Sequence, residues 1–238
     1  MSGHSKWSTI KRQKGLADAR RSSIFSKLAR QISLAAREGK DPATNFRLRL
    51  AIDRARAANL PNDNVERAVK AGTGELKEQT KEVWYEGFGP AGVAVMIQAV
   101  TDNTNRTAAD LRALFARFGG SLGATNSVAW MFRRRGIIRL PLNQLSHRRS
   151  SVELQLIDVG AEDVREENGQ LVIETDPARL PSVKGWLASQ GLAAAAADIE
   201  FVPDTTATIN EPGRQKLQPF FDALEAHDDV TDFYSNEV

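Results

Sequence analysis

Near Glu82 the hydrophobic period of this chain changes from that of helices to that of strands, and this constrains the possible folds most. Ahead of it, Ile24, Phe25, Leu28, Ile32 and Ala35 or Ala36 recur at helical spacing within Leu16–Glu38, and Gly39 supplies a stop. Asp41-Pro42 restarts the chain. Phe46, Leu48, Leu50, Ala51, Ile52, Ala55 and Ala58 predict a second helix whose polar side carries Arg47, Arg49, Arg54 and Arg56. Pro61 and Asn62-Asp63-Asn64 open a third, short helix through Val65, Ala68 and Val69, closed by Gly72. Short connections make these three helices one small domain, residues 1–77.

Past Glu82 the β-formers Val83-Trp84-Tyr85 and Val93–Val100 flank Gly87-Phe88-Gly89-Pro90-Ala91-Gly92, the pattern of a hairpin. A helix follows over Asn105–Phe118, then a strand over Ser127–Phe132, the run Arg133-Arg134-Arg135-Gly136 and a strand over Ile137–Leu140. A further unit reads as a helix at Ser151–Val159, strands near Asp163–Arg165 and Leu171–Glu174, a helix at Leu180–Gln190 and a strand at Asp198–Val202. The last helix, Gln215–Ala226, carries Pro219 as an interruption. With the strand Val230–Tyr234 it has no sheet of its own, so both are expected to return to the second unit. The class is α+β, with helices on one face of antiparallel sheets.

Charge is distributed unevenly. Residues 1–56 hold fourteen basic and four acidic residues, a balance of about +10, which leaves about −8 for the remainder of a chain whose total is +2. The cations begin with Lys6, Lys11, Arg12, Lys14, Arg20, Arg21, Lys27 and Arg30, with Asp18 as the one acid among them. Such a run repels itself, and a phosphate backbone is the most economical partner, since each cation that displaces a condensed counterion adds sequence-independent affinity. Trp7 lies inside the run, where an indole serves either base stacking or packing on its own bundle. The competing readings are a solvated cationic face and a membrane-surface helix. The stretch Ile24, Phe25, Leu28, Ile32 is as wide as a bundle core needs, which disfavours the membrane. A second contact is expected at Asp102–Thr107, where a strand hands over to a helix. Asn103, Asn105 and Arg106 there suit both an N-cap and a phosphate seat.

Enzyme signatures do not survive their context. Gly87-x-Gly89-x-x-Gly92 spells the dinucleotide fingerprint but precedes a strand rather than a helix. Gly119-x-Ser121-x-Gly123 spells a nucleophile elbow but runs from helix to strand. His4, His147 and His227 lack ligand spacing, cysteine is absent and no P-loop occurs, so no metal, cofactor, catalytic residue or small-molecule substrate is expected. No apolar run reaches the roughly 20 residues of a membrane span, and the basic start lacks the apolar stretch of a secretory signal. The cytoplasm is the expected location.

The residues Gly3-His4-Ser5-Lys6-Trp7 with Ile10-Lys11, Ile24–Leu28, Asp41-Pro42 with Asn45, Asn64–Ala68, Tyr85–Gly87, Gly89-Pro90 with Gly92-Val93-Ala94, Asp102-Asn103 with Asn105-Arg106-Thr107, Gly119-Gly120, Ser127–Ala129 and Phe132 together resemble the YebC family of transcriptional regulators. That family also includes mitochondrial translational activators of cytochrome c oxidase. The resemblance implies three domains: the helical one at 1–77, a middle α/β one at 78–136 plus 204–238, and an inserted ferredoxin-like one at 137–203. It implies a cytoplasmic, cofactor-free, non-enzymatic nucleic-acid binder, either a ribosome- or rRNA-associated translation factor or a DNA-binding transcriptional regulator. The chain departs from the family pattern at Ser146–Arg149 and at Pro212 and Pro219.

Overall fold

A computed structural model describes residues 18–74, 80–145 and 148–237, with side chains from Arg21 onward. Two compact units divide it: Arg133–Val202, and the chain up to Phe132 together with Pro203 onward.

The larger unit begins with α1 (Asp18–Ala36), α2 (Phe46–Ala57) and α3 (Asn62–Thr73). One side chain sets the first corner. Asn45 is buried; its amide donates to the carbonyls of Ala35 (2.8 Å) and Gly39 (2.7 Å), while its Oδ1 accepts from the Leu48 N–H at 2.9 Å. It therefore ends α1 and caps α2 at once. Leu28, Ile32, Leu48, Ile52, Leu60 and Val65 fill the core between the three helices. Gly72, expected to close α3, instead lies inside it. A Cβ at this position would stand 2.1 Å from the Ser33 carbonyl oxygen, so the glycine is there to let α3 press against α1.

The hairpin then forms as expected from β1 (Lys81–Phe88) and β2 (Ala94–Thr101), joined at Pro90–Gly92, where Ala91 (φ 58°) and Gly92 (φ 74°) are left-handed. It is followed by α4 (Thr104–Arg117) and a two-residue strand β3 (Ser121–Leu122). The chain returns to this unit with α7 (Glu211–Ala226) and β8 (Val230–Ser235). The sheet order is β3-β1-β2-β8, all antiparallel, so the final strand completes the sheet that the hairpin starts. Val95 and Ile97 of β2 pack against Leu111 and Phe115 of α4 and against Leu217, Phe220 and Leu224 of α7. The Phe115 and Phe220 rings meet edge to face at 5.0 Å. Pro219 does not break α7, which is continuous across it.

Ser127–Phe132 is not a strand. The buried Glu86 carboxylate accepts the backbone N–H groups of Asn126 (2.7 Å), Val128 (2.9 Å) and Ala129 (2.8 Å). Amides taken by a carboxylate cannot enter a ladder, so this stretch folds as turns and a short 3-10 helix (Ala129–Met131), and pairing starts at Phe132.

The smaller unit contains most of β4 (Phe132–Pro141), then α5 (Arg149–Val159), β5 (Ala161–Glu167), β6 (Gln170–Thr175), α6 (Leu180–Ser189) and β7 (Ala196–Pro203). The order β5-β6-β4-β7 with a βαββαβ sequence of elements is the split-βαβ, ferredoxin-like arrangement. The Arg133–Arg135 run, expected ahead of the strand Ile137–Leu140, is itself part of β4, and Arg135 is paired with Glu162 (2.5 Å) and Glu174 (3.2 Å). The fold is thus α+β: a helical bundle and two four-stranded sheets carrying helices.

Candidate nucleic-acid interface

Lys6, Trp7, Lys11, Arg12 and Lys14, the leading residues of the expected interface, lie outside the described residues, as does the side chain of Arg20. The cations that follow divide into two groups. Lys27 is a correction to the sequence reading: only 4% exposed, it donates its ammonium to the Glu225 carbonyl at the end of α7, so it is a docking residue rather than a contact for an outside anion. Arg30 donates to the Asp228 carbonyl at 3.0 Å and lies 3.5 Å from Asp229 Oδ1. Arg37 binds the carbonyl and hydroxyl of Thr80, both at 2.7 Å, and Arg47 joins Glu38 (2.8 Å) and Glu82. Arg54 pairs with the buried Asp232 of β8 at 2.8 Å. The bundle thus spends Lys27, Arg30, Arg37, Arg47 and Arg54 on the sheet-bearing part of its own unit, where they bind acidic side chains and the carbonyls of Thr80, Glu225 and Asp228.

Arg21, Lys40, Arg49, Arg56, Arg67 and Lys70 remain exposed on the bundle surface. Arg21 rests its guanidinium over the Phe25 ring, 5.7 Å from the centroid. Arg67 of α3 is fastened by the Asn64 side chain one turn earlier. Arg21 and Arg67 border an open groove between α1 and α3, whose walls include Phe25, Ser26, Asn64 and Ala71; no carboxylate is among the described residues lining it. Small side chains at Ser22, Ser26, Ala29 and Ala71 keep it open on the stretch ahead of the tight Gly72–Ser33 crossing. Sequence reasoning placed Arg21 and Arg30 in the interface but missed Asn64 and Arg67. Their i, i+3 spacing with the small residues Ala68 and Ala71 was the available signal.

In the second expected contact, Asn103 caps α4, its Oδ1 accepting from the Arg106 N–H at 3.1 Å, and Asn105 is exposed. Arg106 reaches Asp229 (3.1 Å) and Asp102 (2.8 Å), and these bonds raise its pKa, Asp229 foremost. Asp229 also accepts from the Thr107 (2.8 Å) and Thr101 (3.2 Å) hydroxyls. Burial would raise the Asp229 pKa, but the bonds from Thr107 and Arg106 outweigh it and hold the carboxyl below its usual range. The α4 N-terminus therefore already has anionic company from within the chain, which sets it apart from the groove of α1 and α3.

Among the described residues no helix is long and apolar enough to cross a membrane, and no group of three or more His, Asp or Glu side chains is placed to hold a metal ion.

Two family models match the chain: "TACO1/YebC protein N-terminal domain" over residues 5–75 and "TACO1/YebC second and third domain" over residues 80–237. A "probable transcriptional regulatory protein" of Pelotomaculum thermopropionicum is 47% identical over 238 residues, covering 99% of this chain and 98% of that protein. One of the same description from Treponema denticola is also 47% identical, with 99% and 96% covered. The crystal structure of a conserved hypothetical protein from Aquifex aeolicus superposes with a TM-score of 0.85 at 42% identity, covering 98% of this chain and 96% of that one.

Proposed function

Because the chain belongs to the TACO1/YebC family, we propose that it is a non-enzymatic, cofactor-free, cytoplasmic nucleic-acid-binding regulator of gene expression, acting as a ribosome- or rRNA-associated translation factor. The observation that carries this reading is the uneven charge: about +10 over residues 1–56, more than the sheet-bearing part takes up through Lys27, Arg30, Arg37, Arg47 and Arg54. The surplus lies in the run from Lys6 to Arg21, six cations with Asp18 as the one acid among them. We read the larger unit as two domains, 1–77 and 78–136 with 204–238, since the bundle and the sheet each enclose a core of their own. On this reading the bundle contacts the polyanion and the sheet positions the bundle.

Cations spread over helix surfaces bind backbone rather than bases, and a large folded RNA offers dense phosphate of irregular shape. The chain has no helix-turn-helix half-site logic, zinc-finger spacing or RRM signature that would read a duplex sequence. A DNA-binding transcriptional regulator is the second reading, favoured by the description given to the relatives. Crosslinking the tagged protein in cells and sequencing the recovered RNA and DNA tests both. Enrichment of rRNA supports the first, enrichment of promoter DNA replaces it with the second, and recovery of neither refutes nucleic-acid binding.

A further inference from the structure

Resting on that reading, we infer that the groove between α1 and α3 is a seat for a single strand of nucleic acid, with Arg21 as the stacking platform for an unpaired base and Arg67 as the phosphate contact. The local structure supplies each part. Arg21 and Phe25 are one turn apart on α1, and the ring props the guanidinium 5.7 Å from its centroid at the groove edge. Nucleobases stack on guanidinium planes as they do on aromatic rings, and the aromatic beneath adds its π-cloud to the same stack. Across the groove Asn64 restrains Arg67, so less side-chain freedom is lost when a phosphate binds.

Charge selects the occupant. Arg21 and Arg67 face the groove and no carboxylate is among the described residues lining it, whereas Arg30 at its edge already meets the Asp228 carbonyl and Asp229, and Arg47 and Arg54 meet Glu82 and Asp232. An acidic or neutral helix from a protein partner would want a broad apolar floor. Here the floor is Ser22, Ser26, Ala29 and Ala71, with Phe25 the one aromatic among the described residues lining it. Narrow walls of serine and alanine with the Phe25 ring, set between two arginines, suit a thin, charged, partly flat ligand with apolar faces, which describes a strand with splayed bases. A duplex holds its bases inside the stack and has none to offer Arg21.

The full chain is titrated into a fluorescein-labelled oligouridine of about 12 nucleotides and, separately, a duplex RNA of about the same length, with fluorescence anisotropy as the readout. Arg21→Gln and Arg67→Gln are compared with Arg56→Gln, an exposed arginine of α2 outside the groove. The expected result is a loss of about tenfold in single-strand affinity for each groove variant, little change for Arg56→Gln, and a single-strand salt slope flatter by about 0.7 in Arg67→Gln. Phe25→Leu keeps most of the apolar volume that packs on the bundle core while removing the ring, and should weaken single-strand binding with only a small fall in melting temperature. Groove variants that bind like Arg56→Gln overturn the seat while nucleic-acid binding stands. Equal losses on duplex and single strand overturn its preference for unpaired bases. A parent that binds neither probe sinks the seat together with the functional reading beneath it.

Discussion

Replacing Glu86 by Gln should loosen a turn some forty residues away in sequence while leaving side-chain volume nearly unchanged. In the folded protein one carboxylate oxygen accepts the Asn126 N–H, and the other accepts both the Val128 and Ala129 N–H groups, at 2.7–2.9 Å. An amide has one acceptor oxygen. If it faces Val128 and Ala129, two charge-assisted bonds become neutral ones, at about 1 kcal/mol each, and the NH2 confronts the Asn126 N–H, at about 1 kcal/mol more. The expected loss is therefore about 3 kcal/mol, a fall in melting temperature of about 6–12 °C for a chain of this size. Circular dichroism gives the midpoint. Trp130 reports on the turn itself, since its indole N–H donates to the Ser127 carbonyl at 3.3 Å and its ring is 67% exposed. Its emission should change in the variant before the global transition. A loss under about 0.5 kcal/mol would refute the claim that this carboxylate, rather than local propensity, shapes residues 126–131.

Gly72→Ala should destabilise the bundle by about 2 kcal/mol despite alanine's higher helix propensity, because the added methyl meets the Ser33 carbonyl at 2.1 Å; a urea titration showing equal or greater stability would contradict this. Acidification should weaken the larger unit in two stages. His227, its pKa lowered from 6.5 chiefly by burial, is neutral in the folded state, so its contribution is full above 6.5 and is lost as pH falls through its lowered value. Asp229, held below 3.8, keeps its contribution until pH falls under the ordinary carboxylate range, so the stability gap between parent and Asp229→Asn should be flat near neutrality and close only below about pH 4. Finally, engagement of about six phosphates predicts a plot of log affinity against log salt with a slope of roughly −5 on duplex and −4 on single strands; a flat plot would remove the electrostatic basis of binding.

The helices were legible because their evidence is local. Leu28 and Ile32, or Leu48 and Ile52, declare a buried stripe within one or two turns. The hairpin was equally plain, and the return of α7 and β8 to the first sheet followed from their having no other partner. What escaped the sequence depended on distant partners. Val128, Ala129, Met131 and Phe132 look like a strand until Glu86 takes the amides of Val128 and Ala129. Lys27 looks like a phosphate contact until α7, 198 residues further on, supplies a carbonyl. Gly72 resembles a helix stop because nothing nearby in sequence discloses the Ser33 backbone against it. The groove was half legible: the charges on α1 were in view, but Asn64 and Arg67 gained significance only once α3 lay alongside.

Strand β8 is buried along its whole length and pairs with β2, residues Ser235 and Val95 lying opposite each other. Between those partners in sequence lies the entire smaller unit. During synthesis, Val95, Ile97 and their neighbours must therefore wait with an unpaired edge until β8 has left the exit tunnel, while the ferredoxin-like insert can condense ahead of them. A truncation that removes β8 would leave that edge open to intermolecular pairing, so the yield of soluble protein depends on this strand.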